Sequence, residues 1–244
     1  MKKSRKKLIT ILLVIVGALV LTFAGMVIYI VRPQNNPSGI LLAFDDYYPE
    51  NWEAHFDFFE ENDVKVTFFV NAAIPTEFCY KAIERGHEIG FHTMSHVNLT
   101  EVTEEVVWEE AVVPVEHFHN FGIELTTFAY PYGASTPELD ELLLQHYKVV
   151  RGGFHYELIS KEQFKGGYVE SRPIDNANLP SDMQYKLRII KMLVEAKLQE
   201  GTIVSLYSHG IENGDTCITH ERLEFLFQWA DFLNLEFYTY KDLQ

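Results

Sequence analysis

From residue 39 onward, short and almost wholly apolar runs alternate with amphipathic stretches, and this alternation constrains the fold more than any other feature. GILLAF (39–44), VKVTFFV (64–70), HEIGFH (87–92), TTFAYPYG (126–133), YKVV (147–150) and TIVSLYSHG (202–210) have the length and β-branched or aromatic content of strands, with GYVESRPI (167–174) a further candidate. Between them, residues 49–62, 75–86, 137–146 and 183–200 show helical spacing. Pro49 stands near a first turn and Gly86 at a helix end. A helix from about Thr103 meets Pro114, which ends or bends it. After residue 219, Leu223, Leu226, Phe227, Ala230 and Leu233 mark another apolar helix face, and residues 235–243 close the chain. Repeated strand–helix alternation predicts parallel strands with helices outside, in an open sheet or a barrel. The polar residues decide between these. Asp45, Asp46, His92, Tyr132 and His209 all fall at C-terminal ends of apolar runs, which is how a (β/α) barrel delivers chemistry to one rim. The expected class is therefore α/β, a distorted (β/α) barrel with parallel strands, as one domain over residues 39–244.

The first 38 residues read differently. Residues 8–31 are an uncharged apolar run of 24, about 36 Å long as a helix and enough for a bilayer core. The basic tail before it (residues 1–7) belongs on the cytoplasmic side, which puts the domain outside the cell. A cleavable signal peptide has a shorter apolar region and a small-residue cleavage site, and MVIYIVRP contains no such site. The expectation is an uncleaved single-pass membrane anchor, followed by a Pro/Asn/Ser linker over residues 32–38. Six of the 20 basic residues lie in the first 32 positions, which hold no acid. The remainder thus sets 14 bases against 35 acids, a net of −21. Such a domain repels nucleic acid and suits a neutral or cationic glycan. The spacing of Cys79 and Cys217 predicts no disulfide.

The chemistry centres on HTMSH (92–96). Two imidazoles four apart on a turn or tight loop, joined by one carboxylate from a neighbouring strand end, make a three-ligand metal site with a position left for water. The adjacent Asp45 and Asp46 can divide the work, one binding metal and the other acting as base. Position 93 is threonine, so the glutamate base of an H-E-x-x-H helix is missing and Asp45 is the available substitute. FAYPYG places Tyr132 in a stiff turn able to offer a backbone N–H to an oxyanion. His209, at the end of a buried strand, is placed to protonate a leaving group. His55, His87, His117, His119, His146, His155 and His220 lie in polar or turn contexts and are read as having no site role.

AFDD, HTMSH, FAYPYG and SLYSHG, in this order, resemble the four blocks of the polysaccharide deacetylase family (carbohydrate esterase family 4) over roughly residues 38–240. The resemblance implies a distorted (β/α) barrel that removes acetyl groups from N-acetylated sugars or xylan. It makes Asp45 the general base, Asp46, His92 and His96 the metal ligands, Tyr132 the oxyanion donor through its N–H, and His209 the general acid. The implied cofactor is a divalent metal, Zn²⁺ foremost. The implied partner is an N-acetylated cell-surface polysaccharide, either peptidoglycan or poly-N-acetylglucosamine. Tyr47, Tyr48, Trp52 and Tyr132 are candidate platforms for sugar rings. Two departures stand out. The arginine that opens the third block and orients the base is Ala129 here, and no Asp-x-Trp block follows YKVV. Arg151 and Asp175 are the candidates to fill these roles. An O-acetyl esterase on the same scaffold and an inactive glycan-binding homologue remain as alternatives. A phosphotransfer enzyme is disfavoured by the absence of a Gly-rich phosphate loop.

Overall fold

The computed structural model describes residues 2–153, 158–165, 167–212 and 214–244, with the side chains of residues 2–14, 23 and 163 left aside. Seven strands run parallel in a ring: β1 (Gly39–Phe44), β2 (Thr67–Val70), β3 (Glu88–Phe91), β4 (Thr127–Ala129), β5 (Val149–Gly153), β7 (Tyr168–Pro173) and β8 (Thr202–Ser208). The ring closes where β1 pairs with β8 along its whole length, from Gly39↔Ile203 to Phe44↔Ser208. The expected distorted barrel is therefore what forms. The distortion has two sources. β1 meets β2 only at Ala43 and Phe44, and β9 (Glu236–Tyr238) fills the gap beside Gly39, Ile40 and Leu41. β3 and β4 share one pair, Phe91↔Phe128. A short strand, β6 (Ile159–Ser160), lies antiparallel on the start of β8.

Both faces of the strands are buried, which accounts for GILLAF being apolar throughout rather than alternating. Leu41 and Ala43 point into the barrel with Phe69, Ala129, Val149, Val169, Ile203 and Tyr207. Ile40, Leu42 and Phe44 point outward into the larger layer beneath the helices. The lumen is narrow enough to need glycine. A Cβ on Gly90 would sit 2.5 Å from the Phe69 ring. At the barrel floor the buried Glu88 carboxylate accepts from Thr67 Oγ1 (2.9 Å), Thr127 Oγ1 (2.6 Å) and the Lys241 N–H (3.0 Å). These bonds fasten the C-terminal segment across the floor.

The helices are α1 (Lys2–Val31), α2 (Pro49–Glu53), α3 (Phe56–Glu61), α4 (Glu77–Glu84), α5 (Glu104–Val107), α6 (Val113–Asn120), α7 (Pro137–Leu143), α8 (Lys161–Phe164), α9 (Asp182–Leu198) and α10 (His220–Leu233). The helix expected over 49–62 is broken in two. His55 Nδ1 occupies the Asn51 carbonyl (2.8 Å) that its own backbone N–H would otherwise use, so that N–H moves to Trp52 O. The helix after Thr103 continues past Pro114 through a π turn, Trp108–Val112, which accommodates the missing N–H. The expected membrane run lies inside α1. Among the described residues no helix is long and apolar enough to cross a membrane, and the first seven residues of that run fall outside the described side chains. The stretch expected as a linker is docked. Ser38 is buried and donates to Ala196 O and Gln199 O, while Gln34 Nε2 donates to Lys197 O. Cys79 and Cys217 are both free.

Gly90→Ala should destabilise the domain by about 1–3 kcal/mol through overpacking against Phe69. A urea unfolding midpoint equal to that of the wild type would contradict so tight a lumen.

Candidate active site

All the polar strand ends converge on one mouth of the barrel, around a cavity of about 290 Å³ lined by Asp45, Asp46, His92, His96, Tyr132 and His209, with Arg151 and Asp175 among the rest. The strand ladders run directly into the site: Asp45 N–H bonds Ser208 O, and His92 N–H bonds Val70 O, both at 3.0 Å. The chain then turns sharply. Asp46 (φ 74°), Tyr47 (φ 62°), Thr93 (φ 63°), His96 (φ 58°) and Tyr132 (φ 59°) all adopt the left-handed region that non-glycine residues avoid. Backbone strain concentrated at one rim is a mark of a functional constellation. Here it lets two adjacent aspartates face different partners.

Asp46 Oδ1 lies 3.0 Å from His96 Nε2 and 3.3 Å from His92 Nε2. His92 Nδ1 is 2.7 Å from Ala129 O, and a carbonyl only accepts, so that nitrogen carries the proton and Nε2 presents a lone pair. The buried Asp46 Oδ1 has no hydrogen-bond partner of ordinary geometry. The His92 lone pair and Asp46 Oδ1 thus face each other, an arrangement that suits a cation. The spacing fits: two ligands about 2.0–2.1 Å from zinc at a tetrahedral angle stand about 3.3 Å apart. Burial raises the Asp46 carboxyl, but His92, His96 and the nearby His209 outweigh it and hold the group far below the usual carboxylate range. Asp46 in turn raises His96, against the opposing effect of burial.

Asp45 is held separately. Its Oδ2 accepts from Arg151 Nη2 at 2.5 Å, while its buried Oδ1 has no partner and is free to accept a proton. Arg151 stands on β5 in register with Ala129 on β4, so the neighbouring strand supplies an arginine at the level where the resemblance places one on β4. The guanidinium is buried, 4.6 Å from the Tyr207 ring centre and 5.0 Å from that of Phe69. Opposite, His209 Nδ1 contacts Thr216 O at 3.1 Å, and its Nε2 stands 3.6 Å from Asp46 Oδ2. The buried Asp175 carboxylate is 3.8 Å from His209 Nδ1, too long for a hydrogen bond. Asp175 is itself fixed, its Oδ1 accepting from Asn178 N–H (3.0 Å) and Nδ2 (2.9 Å).

The structure thus brings together Asp45, Asp46, His92, His96, Tyr132 and His209, and adds Arg151 and Asp175. Trp52 does not join the sugar platforms. It is fully buried, 5.0 Å from Phe68, and its Nε1 donates to His209 O at 2.7 Å. Tyr132 is more than half exposed, with its ring 4.7 Å from His96. His155 lies outside the described residues. Residues beyond the four motifs also hold the site. Asn71, the first residue after β2, donates to the His92 and Thr93 carbonyls, and its place at a strand end is the same signal that marked the others. Glu110 holds the loop between the two histidines. Its carboxylate accepts from Ser95 N–H (2.9 Å) and Oγ (2.6 Å), and its backbone carbonyl accepts from Met94 N–H (3.1 Å). That carbonyl is four residues before Pro114, which brings it no N–H.

Glu110→Ala should weaken metal binding by about 10-fold or more while leaving the fold intact, as losses around a metal shell do. A dissociation constant unchanged in calorimetry would dismiss Glu110 as a support. Because His96 is raised, protons compete for the site starting above the ordinary histidine range, and apparent metal affinity should fall as pH drops through that region. Affinity flat from pH 8 to about pH 5 would contradict this, ordinary histidine titrating near 6.5.

No curated protein matches the chain. Solved structures do match in fold. The peptidoglycan deacetylase PdaC from Bacillus subtilis aligns at 15% identity and TM-score 0.57, over 87% of this chain and 92% of its own. A family 4 acetyl xylan esterase from Clostridium thermocellum, in complex with a cobalt ion, aligns at 18% identity and TM-score 0.59, over 84% and 89%. A family 4 pseudoenzyme from Bacillus anthracis aligns at 14% identity and TM-score 0.57, over 86% and 66%. Residues 32–149, which carry three of the four sequence blocks, match the polysaccharide deacetylase family model, the same family that the four blocks resemble.

Proposed function

We propose that this protein is a metal-dependent N-deacetylase of a cell-surface polysaccharide carrying N-acetylglucosamine units, and that it releases acetate. The observation that carries the reading is the convergence of the Asp46, His92 and His96 side chains beside a carboxylate, Asp45, with one oxygen tied to Arg151 and the other free. Asp46, His92 and His96 would hold the divalent ion, Zn²⁺ foremost. When bound, that ion polarises an acetamide carbonyl and acidifies a water. Asp45 Oδ1 takes the proton from the attacking water. The Tyr132 N–H supports the oxyanion of the tetrahedral intermediate. His209 gives its Nε2 proton to the sugar nitrogen as the carbon–nitrogen bond breaks, leaving a free amine and acetate. Arg151 keeps Asp45 oriented, and Asp175 lies beside the His209 ring.

The buried Arg151–Asp45 pair favours an active enzyme over a glycan-binding homologue, since a binding protein needs no oriented base. O-acetyl esterase chemistry would use the same groups, and only substrate separates the two. Residues 8–31 would form a single-pass anchor, with the domain outside the cell. Support comes from Leu19, Val20, Leu21 and Ile28 on α1, each at least 60% exposed and apolar.

The test is acetate release from N-acetylglucosamine oligomers by the full-length chain, with and without zinc, beside acetylated xylan. Release from the oligomers should require metal and be lost in Asp45→Asn. Arg151→Met should lower kcat by about 10²-fold, as misplacing a catalytic group does, with metal stoichiometry unchanged. Release from xylan alone would transfer the reading to the esterase, and no release from metal-loaded protein would sink both. Carbonate washing of membranes should leave the chain in the pellet; its appearance in the supernatant would remove the anchor.

A further inference from the structure

His55 and His220, read from the sequence as having no site role, stand together with Glu212 away from the barrel mouth. His55 sits at the break between α2 and α3, Glu212 in the loop after β8, and His220 at the first position of α10. One ligand atom from each lies within 4.8 Å of the others. His55 Nδ1 is 2.8 Å from Asn51 O, so it carries the proton, as in His92, and Nε2 presents its lone pair. That lone pair faces Glu212 Oε1 at 3.2 Å, the spacing of neighbouring ligands around a tetrahedral ion. A metal-binding histidine that donates its other N–H to a backbone carbonyl is the usual outer-shell pattern. The His55 side chain is 10% exposed and that of Glu212 55%, so the arrangement has one buried anchor and an open side. The His220 ring lies 5.9 Å from that of His55 and 3.9 Å from Phe58, which limits its movement.

The surrounding backbone is arranged to present Glu212. Glu212 itself adopts φ 95°, a region non-glycine residues avoid, with its N–H bound to Ile218 O at 2.8 Å. The preceding residue is clamped on both sides, since Asn51 Nδ2 donates to Ile211 O and Asn51 Oδ1 accepts from Ile211 N–H, each at 2.8 Å. We propose that His55, Glu212 and His220 form a second divalent-metal site of His₂Glu type, suited to zinc. Bound metal would fasten the His209-bearing loop to α3 and α10. This goes beyond the deacetylase reading and does not depend on it.

Titration of metal-free, full-length chain with zinc by calorimetry, and with cobalt by visible absorption, tests the proposal. Two equivalents should bind. Glu212→Gln and His220→Asn should each lower the affinity of one equivalent by at least about tenfold and leave the other unchanged, and His96→Ala should remove the other. In the His96→Ala protein, zinc should still raise Tm, and adding Glu212→Gln should abolish that rise. Glu212 is exposed, so loss of folding does not obscure the result. A single equivalent in the wild type, lost in His96→Ala and indifferent to Glu212→Gln, would overturn the second site. It would leave the His55–Glu212 contact as a direct one between the two side chains, and the deacetylase reading would stand.

Discussion

The pairing of β1 with β8 is the contact on which the rest of the molecule depends. Six consecutive register pairs join a strand near the start of the domain to one more than 160 residues later. Phe44 opposite Ser208 is the last of them, so Asp45 and His209 emerge side by side from adjacent strand ends. Without this closure the base and acid of the proposed reaction would sit at opposite edges of an open sheet. Closure also buries both faces of β1, which makes a continuous apolar run necessary and leaves no free edge there. The interior it creates is small, and Ala43, Gly90 and Ala129 keep it passable for Arg151.

Burying an arginine and an aspartate together is costly unless their geometry is close to ideal. The 2.5 Å contact and the flanking rings of Phe69 and Tyr207 offset part of that cost, while Asp45 Oδ1 and Arg151 Nε have no partner. Such a pair contributes more to orientation than to stability, because a second rotamer of Asp45 would leave the guanidinium uncompensated. Asp46, one residue later, serves a different set of partners only because its backbone adopts φ 74°. Strain at the rim and charge in the lumen therefore belong to one design. A rigid, well-packed barrel holds groups that would relax apart in a looser scaffold.

The fold was legible because its signals are local. Apolar runs bounded by helix starts and stops are set by backbone geometry and burial, and the resulting elements fall close to where the sequence puts them. The four site motifs were legible for the same reason, since a buried strand seldom ends in a charged or imidazole side chain unless that group meets a partner there. Local reasoning failed where side chains compete with backbone. The ring of His55 breaks a helix that its neighbours would continue. It failed again for Trp52, whose neighbourhood in sequence is amphipathic while its neighbours in space are Phe68 and the His209 carbonyl.

The sequence by itself determined the strand–helix alternation, the rim on which chemistry gathers, and the identity of two histidines and two aspartates as one constellation. Position along the chain made Arg151 a candidate, and tertiary structure decided that it serves Asp45. Parallel register sets Ala129 beside Arg151, a relation between residues 22 positions apart that no spacing rule reveals. It also decided that His55, Glu212 and His220 meet, since they belong to three elements brought together only when the helices pack around the closed barrel. Patterns along a chain report what each segment needs locally. Which lone pairs face which charges depends on closure and register, and these are properties of the whole fold.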